Sequence, residues 1–192
     1  MKAISKQGWL LILCSLLVGG IAFFLLQMRP SNPVAESVEV DGIRYSAAIE
    51  STQAVFERRY SNDEFAKPER DSLITALNDH IFITCRISSI NSSLKELVIS
   101  RKADWSPIQH ALNYACGDLF SASFNGNSLP PLLCASETLL SGDDDFTFNL
   151  VFARPHEFGS EDRIISLSFT NDLLNTDPVT LSLDAAPTIY EP

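Results

Sequence analysis

Twenty consecutive residues, Trp9 to Met28 (WLLILCSLLVGGIAFFLLQM), carry no charge and a single side-chain amide, Gln27. At a rise of ~1.5 Å per residue such a run reaches ~30 Å as a helix, the thickness of a bilayer's hydrocarbon core. A lone segment in lipid satisfies its own backbone hydrogen bonds only as a helix. The run therefore predicts a single transmembrane helix over 9–28, with everything after it a tethered domain.

Orientation follows from the flanks. Lys2 and Lys6 precede the run and Arg29 follows it, which keeps 1–8 in the cytoplasm and sends the remainder outward. Cleavage as a secretory signal is the alternative, because Gly20 and Ala22 stand at the −3 and −1 spacing. It would expose Phe23-Phe24-Leu25-Leu26, and the run exceeds an h-region of about 7–15 residues. The uncleaved anchor is preferred, and both readings put the domain on the same side. The leader MKAISKQG ahead of an apolar run resembles the prepilin and pseudopilin entry signal. Leu13 replaces that family's Glu, however, and Arg29-Pro30-Ser31-Asn32-Pro33 breaks the helix that pilins continue. Leu13 also occupies the small-residue place of a lipobox, so Cys14 is not read as lipidated. Ser15 and Gly19 form one small-xxx-small pair, too common in apolar segments to predict a dimer.

Beyond Met28 stand 12 Lys plus Arg against 24 Asp plus Glu. That balance excludes nucleic acid, which rewards clustered cations, and anionic lipid surfaces. It suits a soluble acidic domain or a partner with a basic face. Three cysteines, Cys85, Cys116 and Cys134, fall in this outer part, where disulfides persist. An odd count allows one bridge and leaves one thiol. Cys116–Cys134 is the pairing chosen, closing a local loop, although sequence alone leaves three open.

The domain limits read as a tether over 29–37, one domain over 38–184 and a loose tail over 185–192. Asp41-Gly42 between alternating apolar residues predicts a hairpin from Val38 to Tyr45. Helical spacing is read from Ser46 to Tyr60, and Pro68 opens a second helix to about Asp79 with Leu73, Ile74 and Leu77 inward. Ile81, Ile83, Cys85 and Ile87 alternate as on a half-buried strand, and Leu94–Ser100 is read as another. Ser106, Pro107 and Gln109 are read as a capping box starting a helix to Cys116, stopped by Gly117. A strand over Leu119–Phe124 and a turn at Asn125-Gly126-Asn127 come next. A short helix is read over Leu132–Leu140, then strands from Phe146, over Ile164–Phe169 and over Val179–Leu183, joined as an antiparallel meander. The expected class is α+β, with early helices and a C-terminal antiparallel sheet.

Chemistry-bearing patterns are sparse. His156-Glu157 begins like a zinc-protease helix, but Ser160 stands where the second His belongs. Ser92-Ser93-Leu94-Lys95 matches the SxxK pattern of penicillin-interacting serine enzymes without the companion Lys-Thr-Gly, a match expected by chance. Asp143-Asp144-Asp145 lacks the alternating ligands and distal Glu of a calcium loop. Cys85, Cys116 and Cys134 with His80 or His110 would suit a soft metal, but the Cys spacings of 31 and 18 contain no short ligand pair. No catalytic residue, metal ligand or cofactor is therefore assigned. Trp105 is the one candidate partner contact, since aromatic anchors dominate interface energies, with a core contact preferred for it.

The functional expectation is a single-pass protein of a bacterial inner membrane whose acidic periplasmic domain binds a protein partner in an envelope assembly of secretion, pilus or conjugation type. Two alternatives accompany it: an immunity protein against a basic periplasm-acting toxin, and an envelope hydrolase with an unrecognised site.

Overall fold

Nine strands and four α-helices make up the described part of the chain in the computed structural model, which covers residues 35–61, 65–137, 145–155, 158, 164–170, 174 and 177–185. The chain divides into two compact units, 1–32 and 33–192, and every described residue belongs to the second. The expected transmembrane run lies outside the described residues. Among those described, no helix is long and apolar enough to cross a membrane.

The class is α+β with antiparallel sheets. Strand β1 (Glu36–Val40) turns at Asp41-Gly42 into β2 (Ile43–Glu50). Both turn residues have positive φ, 52° and 78°, the geometry a two-residue hairpin demands and Gly supplies without a Cβ penalty. Glu36 and Ser37 already pair with Ala47 and Ser46, so the domain starts inside the expected tether. Helix α1 (Thr52–Tyr60) comes next, N-capped by Ser51, then α2 (Lys67–Asn78) and β3 (His80–Ser89). Helix α3 (Leu94–Ser100) and α4 (Trp105–Tyr114) lead through a 3-10 turn (Cys116–Asp118) to β4 (Phe120–Phe124). Strands β5 (Asn127–Leu129), β6 (Pro131–Ser136), β7 (Phe146–Ala153), β8 (Ile164–Phe169) and β9 (Val179–Asp184) complete the order.

Two sheets result, one ordered β1-β2-β3-β7-β6 and the other β5-β4-β8-β9. Period-two patterning turns Tyr45, Ile83, Cys85, Phe148 and Leu150 of the first sheet toward Phe120, Phe124, Leu167 and Phe169 of the second. Aromatic rings join the layers: Tyr45 to Phe169 at 5.4 Å and Phe120 to Phe148 at 5.1 Å between centroids. Leu94, Val98, Ile108 and Leu112 of α3 and α4 enter the same core. Arg101, just past α3, donates to the carbonyl oxygens of Leu174 (3.2 Å) and Asp41, tying the first hairpin turn to that loop.

Five local expectations need correction. Residues 46–50 continue β2 rather than starting a helix, since Ala47 pairs with Cys85 and Ile49 with Ile83. Leu94–Ser100 is helical, not extended. Ser93 Oγ accepts from Glu96 N at 3.0 Å while Ser93 N donates to Glu96 Oε2 at 3.2 Å, a capping box that outweighs the strand preference of Val98 and Ile99. Helix α4 begins at Trp105 under an Asp104 cap, whose Oδ1 accepts from Ser106 N at 3.1 Å, so Ser106 is not the cap. It ends at Tyr114, three residues before Gly117. Residues 131–136 form an edge strand in place of the expected short helix, with an irregularity in register between Pro131 and Leu133. Finally, β7 does not pair with β8. It lies between β3 and β6, while β8 lies between β4 and β9, so there is no single C-terminal meander. On α2, the expected inward residues Leu73, Ile74 and Leu77 are half-buried while Ser72, Thr75 and Ala76 are exposed.

The Ser93 cap gives a direct test. Ser93→Ala removes one side of the box and is expected to destabilise the domain by about 1 kcal/mol, read from chemical denaturation. A change below ~0.3 kcal/mol, outside the usual range for a lost cap, would mean that tertiary packing of Leu94 and Val98 alone holds α3.

Candidate functional site

The residues singled out from sequence do not converge. His80 opens β3 with Nδ1 3.3 Å from the Ala76 carbonyl, and His110 is exposed on α4 with its ring 5.1 Å from Tyr114. Ser92 and Ser93 belong to the turn and cap before α3, and the Ser93 hydroxyl is committed to Glu96. Asp145 pairs with Arg86, while Asp143, Asp144 and His156 lie outside the described residues. Among the described residues no group of three His, Cys, Asp or Glu is placed to hold a metal ion. Trp105 is half-buried on the core, its ring 5.9 Å from that of Phe146 in an edge-on arrangement. Its contact is therefore internal to the fold.

The cysteines are settled by position. Cys116, at the 3-10 turn, is bonded to Cys134 of β6, with Cα atoms 6.0 Å apart. Cys85 is 2 % exposed on the inner face of β3, and burial pushes its thiol up to about 12. A thiol so placed is a small core hydrophobe, not a nucleophile. Because the folded value lies above the unfolded one of 9.0, the thiol's contribution is complete below pH 9 and is lost as pH rises toward 12. Folding stability is expected to fall with rising pH across that window, because the unfolded thiol loses its proton while the buried one keeps it. A Cys85→Ala variant should lack this slope, which denaturation at several pH values would reveal.

One concavity lies on the outer face of the first sheet. There the inter-strand register sets four residues in a row: Glu50 opposite Phe82, Phe82 opposite Val151, and Val151 opposite Leu133. One step along, Thr84 stands opposite Asn149, and Asn149 opposite Ala135. Phe82, Val151 and Leu133 make an apolar stripe about 10 Å across, two inter-strand spacings of ~4.8 Å. Helix α1 leaves β2 immediately after Glu50 and supplies the opposite wall through Val55, Arg58 and Arg59. The groove between wall and stripe has a volume of about 250 Å³.

Its polar side chains form a chain of contacts. Arg58 Nη2 sits 2.7 Å from Glu50 Oε2 and its Nη1 donates to Glu50 Oε1 at 2.9 Å. The Thr84 hydroxyl donates to Glu50 Oε1 and also lies 3.3 Å from Asn149 Oδ1, so its one proton has two acceptors. Asn149 Nδ2 in turn donates to Glu137 Oε1 at 2.6 Å. Glu50, Thr84, Asn149 and Glu137 thus form one chain of contacts across three strands and the residue that follows β6. Arg59 is exposed, and among the described residues it pairs with no carboxylate. The arrangement can grip an apolar side chain and a nearby anion.

A second cavity, bordered by Glu50, His80 and Arg154, measures about 20 Å³. That is room for a single water, not for a substrate. An open hollow beside α2, lined by Phe65, Pro68 and Leu73, has few convergent polar groups.

No known family model, characterised protein or solved structure matches the chain. The sequence singles out none of the groove residues. Its one signal is small: Phe82 and Val151 are apolar at positions whose alternation assigns them to the outer face.

Proposed function

We propose that this chain is a non-catalytic binding component of a bacterial cell envelope, held to the inner membrane by residues 9–28 with its acidic α+β domain in the periplasm. The observation that carries the reading is the groove on the outer sheet face, where an apolar stripe and two arginines face each other on a rigid scaffold. Its volume of about 250 Å³ falls below the ~300–1,000 Å³ typical of small-molecule sites, which favours capture of a side chain or short segment of a protein over a whole cofactor. The Cys116–Cys134 bond supports an oxidising compartment, where such bonds persist. The uncharged run Trp9–Met28 supports the tether.

Co-purification of the tagged full-length chain from mildly solubilised native membranes tests the reading, with mass spectrometry of the proteins that stay bound. A stoichiometric envelope protein is the expected result. A chain that purifies alone at native expression, or with a soluble secreted toxin, overturns the assembly role.

A further inference from the structure

We infer that the groove between α1 and the β3-β7-β6 face takes an extended peptide segment of a partner protein in which a carboxylate stands within two residues of a large aliphatic or aromatic side chain. This rests on the protein-binding reading above and names the partner's chemistry. The apolar anchor follows from the stripe. Leu133 is 52 % exposed on an edge strand, and Val151 and Phe82 continue its surface inward, so a side chain laid across them buries area on three strands at once.

The anion follows from how the polar groups are committed. Glu50 is compensated by Arg58 and also accepts from Thr84, and Glu137, which accepts from Asn149, does not line the groove. Arg59 retains its planar fork of donors, which matches a carboxylate in two parallel hydrogen bonds. The chain's net charge of −10 does not oppose this choice at close range, since charges beyond a screening length of ~8–10 Å are largely damped. Arg58 is compensated by Glu50, which leaves Arg59 as the groove's cation with no carboxylate partner among the described residues. Only about 10 Å of stripe is available, the span of two or three extended residues.

A selection from a random twelve-residue peptide display library on the full-length chain in detergent micelles tests this, with fluorescence polarisation of the enriched peptides. Enrichment of Asp or Glu within two positions of Leu, Ile or Phe is expected. Arg59→Glu should then weaken binding at least tenfold, Leu133→Asp should abolish it, and Arg59→Lys, which keeps the charge without the fork, should fall between wild type and Arg59→Glu. Both altered side chains are exposed, and unchanged thermal unfolding will confirm that the fold is kept. Enriched peptides that are basic or uncharged, binding unaltered in both variants, or no enrichment at all would overturn the inference. The two readings fail separately. A native partner that still co-purifies with the Arg59→Glu/Leu133→Asp double variant removes the groove and leaves protein binding intact. Groove-dependent peptides without any native partner do the reverse.

Discussion

Phe148→Ala is expected to cost about 3–5 kcal/mol of folding stability, the largest effect of any single truncation in the domain. Phe148 has no exposed surface and sits at the middle of β7, itself between β3 and β6. Its ring meets Phe120 of the opposite sheet at 5.1 Å and stacks on Phe146 at 6.2 Å. Truncation leaves a cavity where both sheets and the aromatic column meet, and strands on either side of β7 hinder collapse into it. Against a total of about 5–15 kcal/mol for a typical domain, the loss removes about a fifth or more. Thermal unfolding should fall by roughly 10 °C, at about 2–4 °C per kcal/mol for a domain of this size. Phe82→Ala, on the outer face of the neighbouring strand, is the comparison and should cost far less. Equal losses at the two positions would show that the inter-sheet layer is not the principal core.

Removing the Cys116–Cys134 bond by Cys116→Ala with Cys134→Ala is expected to cost about 3 kcal/mol, from the closure entropy of a loop spanning 18 residues. The bond joins the 3-10 turn after α4 to edge strand β6, which otherwise pairs only with β7. Ser136 and Asn113, 3.4 Å apart, make a weak second link between the same elements. Denaturant midpoints should fall and m should rise slightly, because the unfolded chain without the loop is less compact, and hydrogen exchange should rise first in 131–136. Because Leu133 stands on β6, loosening this strand should also weaken groove ligands. Cys85 cannot substitute. It lies on β3, two strands from Cys134, so their Cα atoms are about 10 Å apart, beyond the ~7 Å limit for a disulfide. Cys116→Ala alone should therefore yield three free thiols, Cys14, Cys85 and Cys134, with no bridge between Cys85 and Cys134, as mass spectrometry after alkylation of the unfolded chain would show. Wild-type stability that is indifferent to both the double substitution and reductant would contradict the entropic account.

Local signals are readable where one period runs unbroken. The alternation Ile81-Ile83-Cys85-Ile87 and Phe146-Phe148-Leu150-Phe152 identifies β3 and β7, and Asp41-Gly42 identifies the first hairpin. Reading fails where two periods coincide. Ala48, Ile49, Thr52, Val55 and Phe56 satisfy a helical face, yet Ile49 also continues the alternation of Tyr45 and Ala47, and pairing with β3 decides for the strand. At Leu94–Ser100 two local signals conflict: the Ser93/Glu96 pair starts a helix, while Val98 and Ile99 favour a strand. Burial of Leu94 and Val98, one helical turn apart, decides for the cap.

From the sequence alone come the uncharged apolar run over 9–28, the acidic balance of residues 29–192, the α+β class and the inward face of each long strand. These depend on composition and on spacing within a few residues, which local physics reads directly. Which strands become neighbours was decided only in three dimensions. β7 joins β3 across 65 residues at the Thr84–Asn149 contact, because burying both apolar faces outweighs the modest entropy of closing so long a loop. The groove belongs to that second category. Phe82, Val151 and Leu133 come from three distant segments and are individually ordinary, and only the register of β3, β7 and β6 lines them up beneath Arg59.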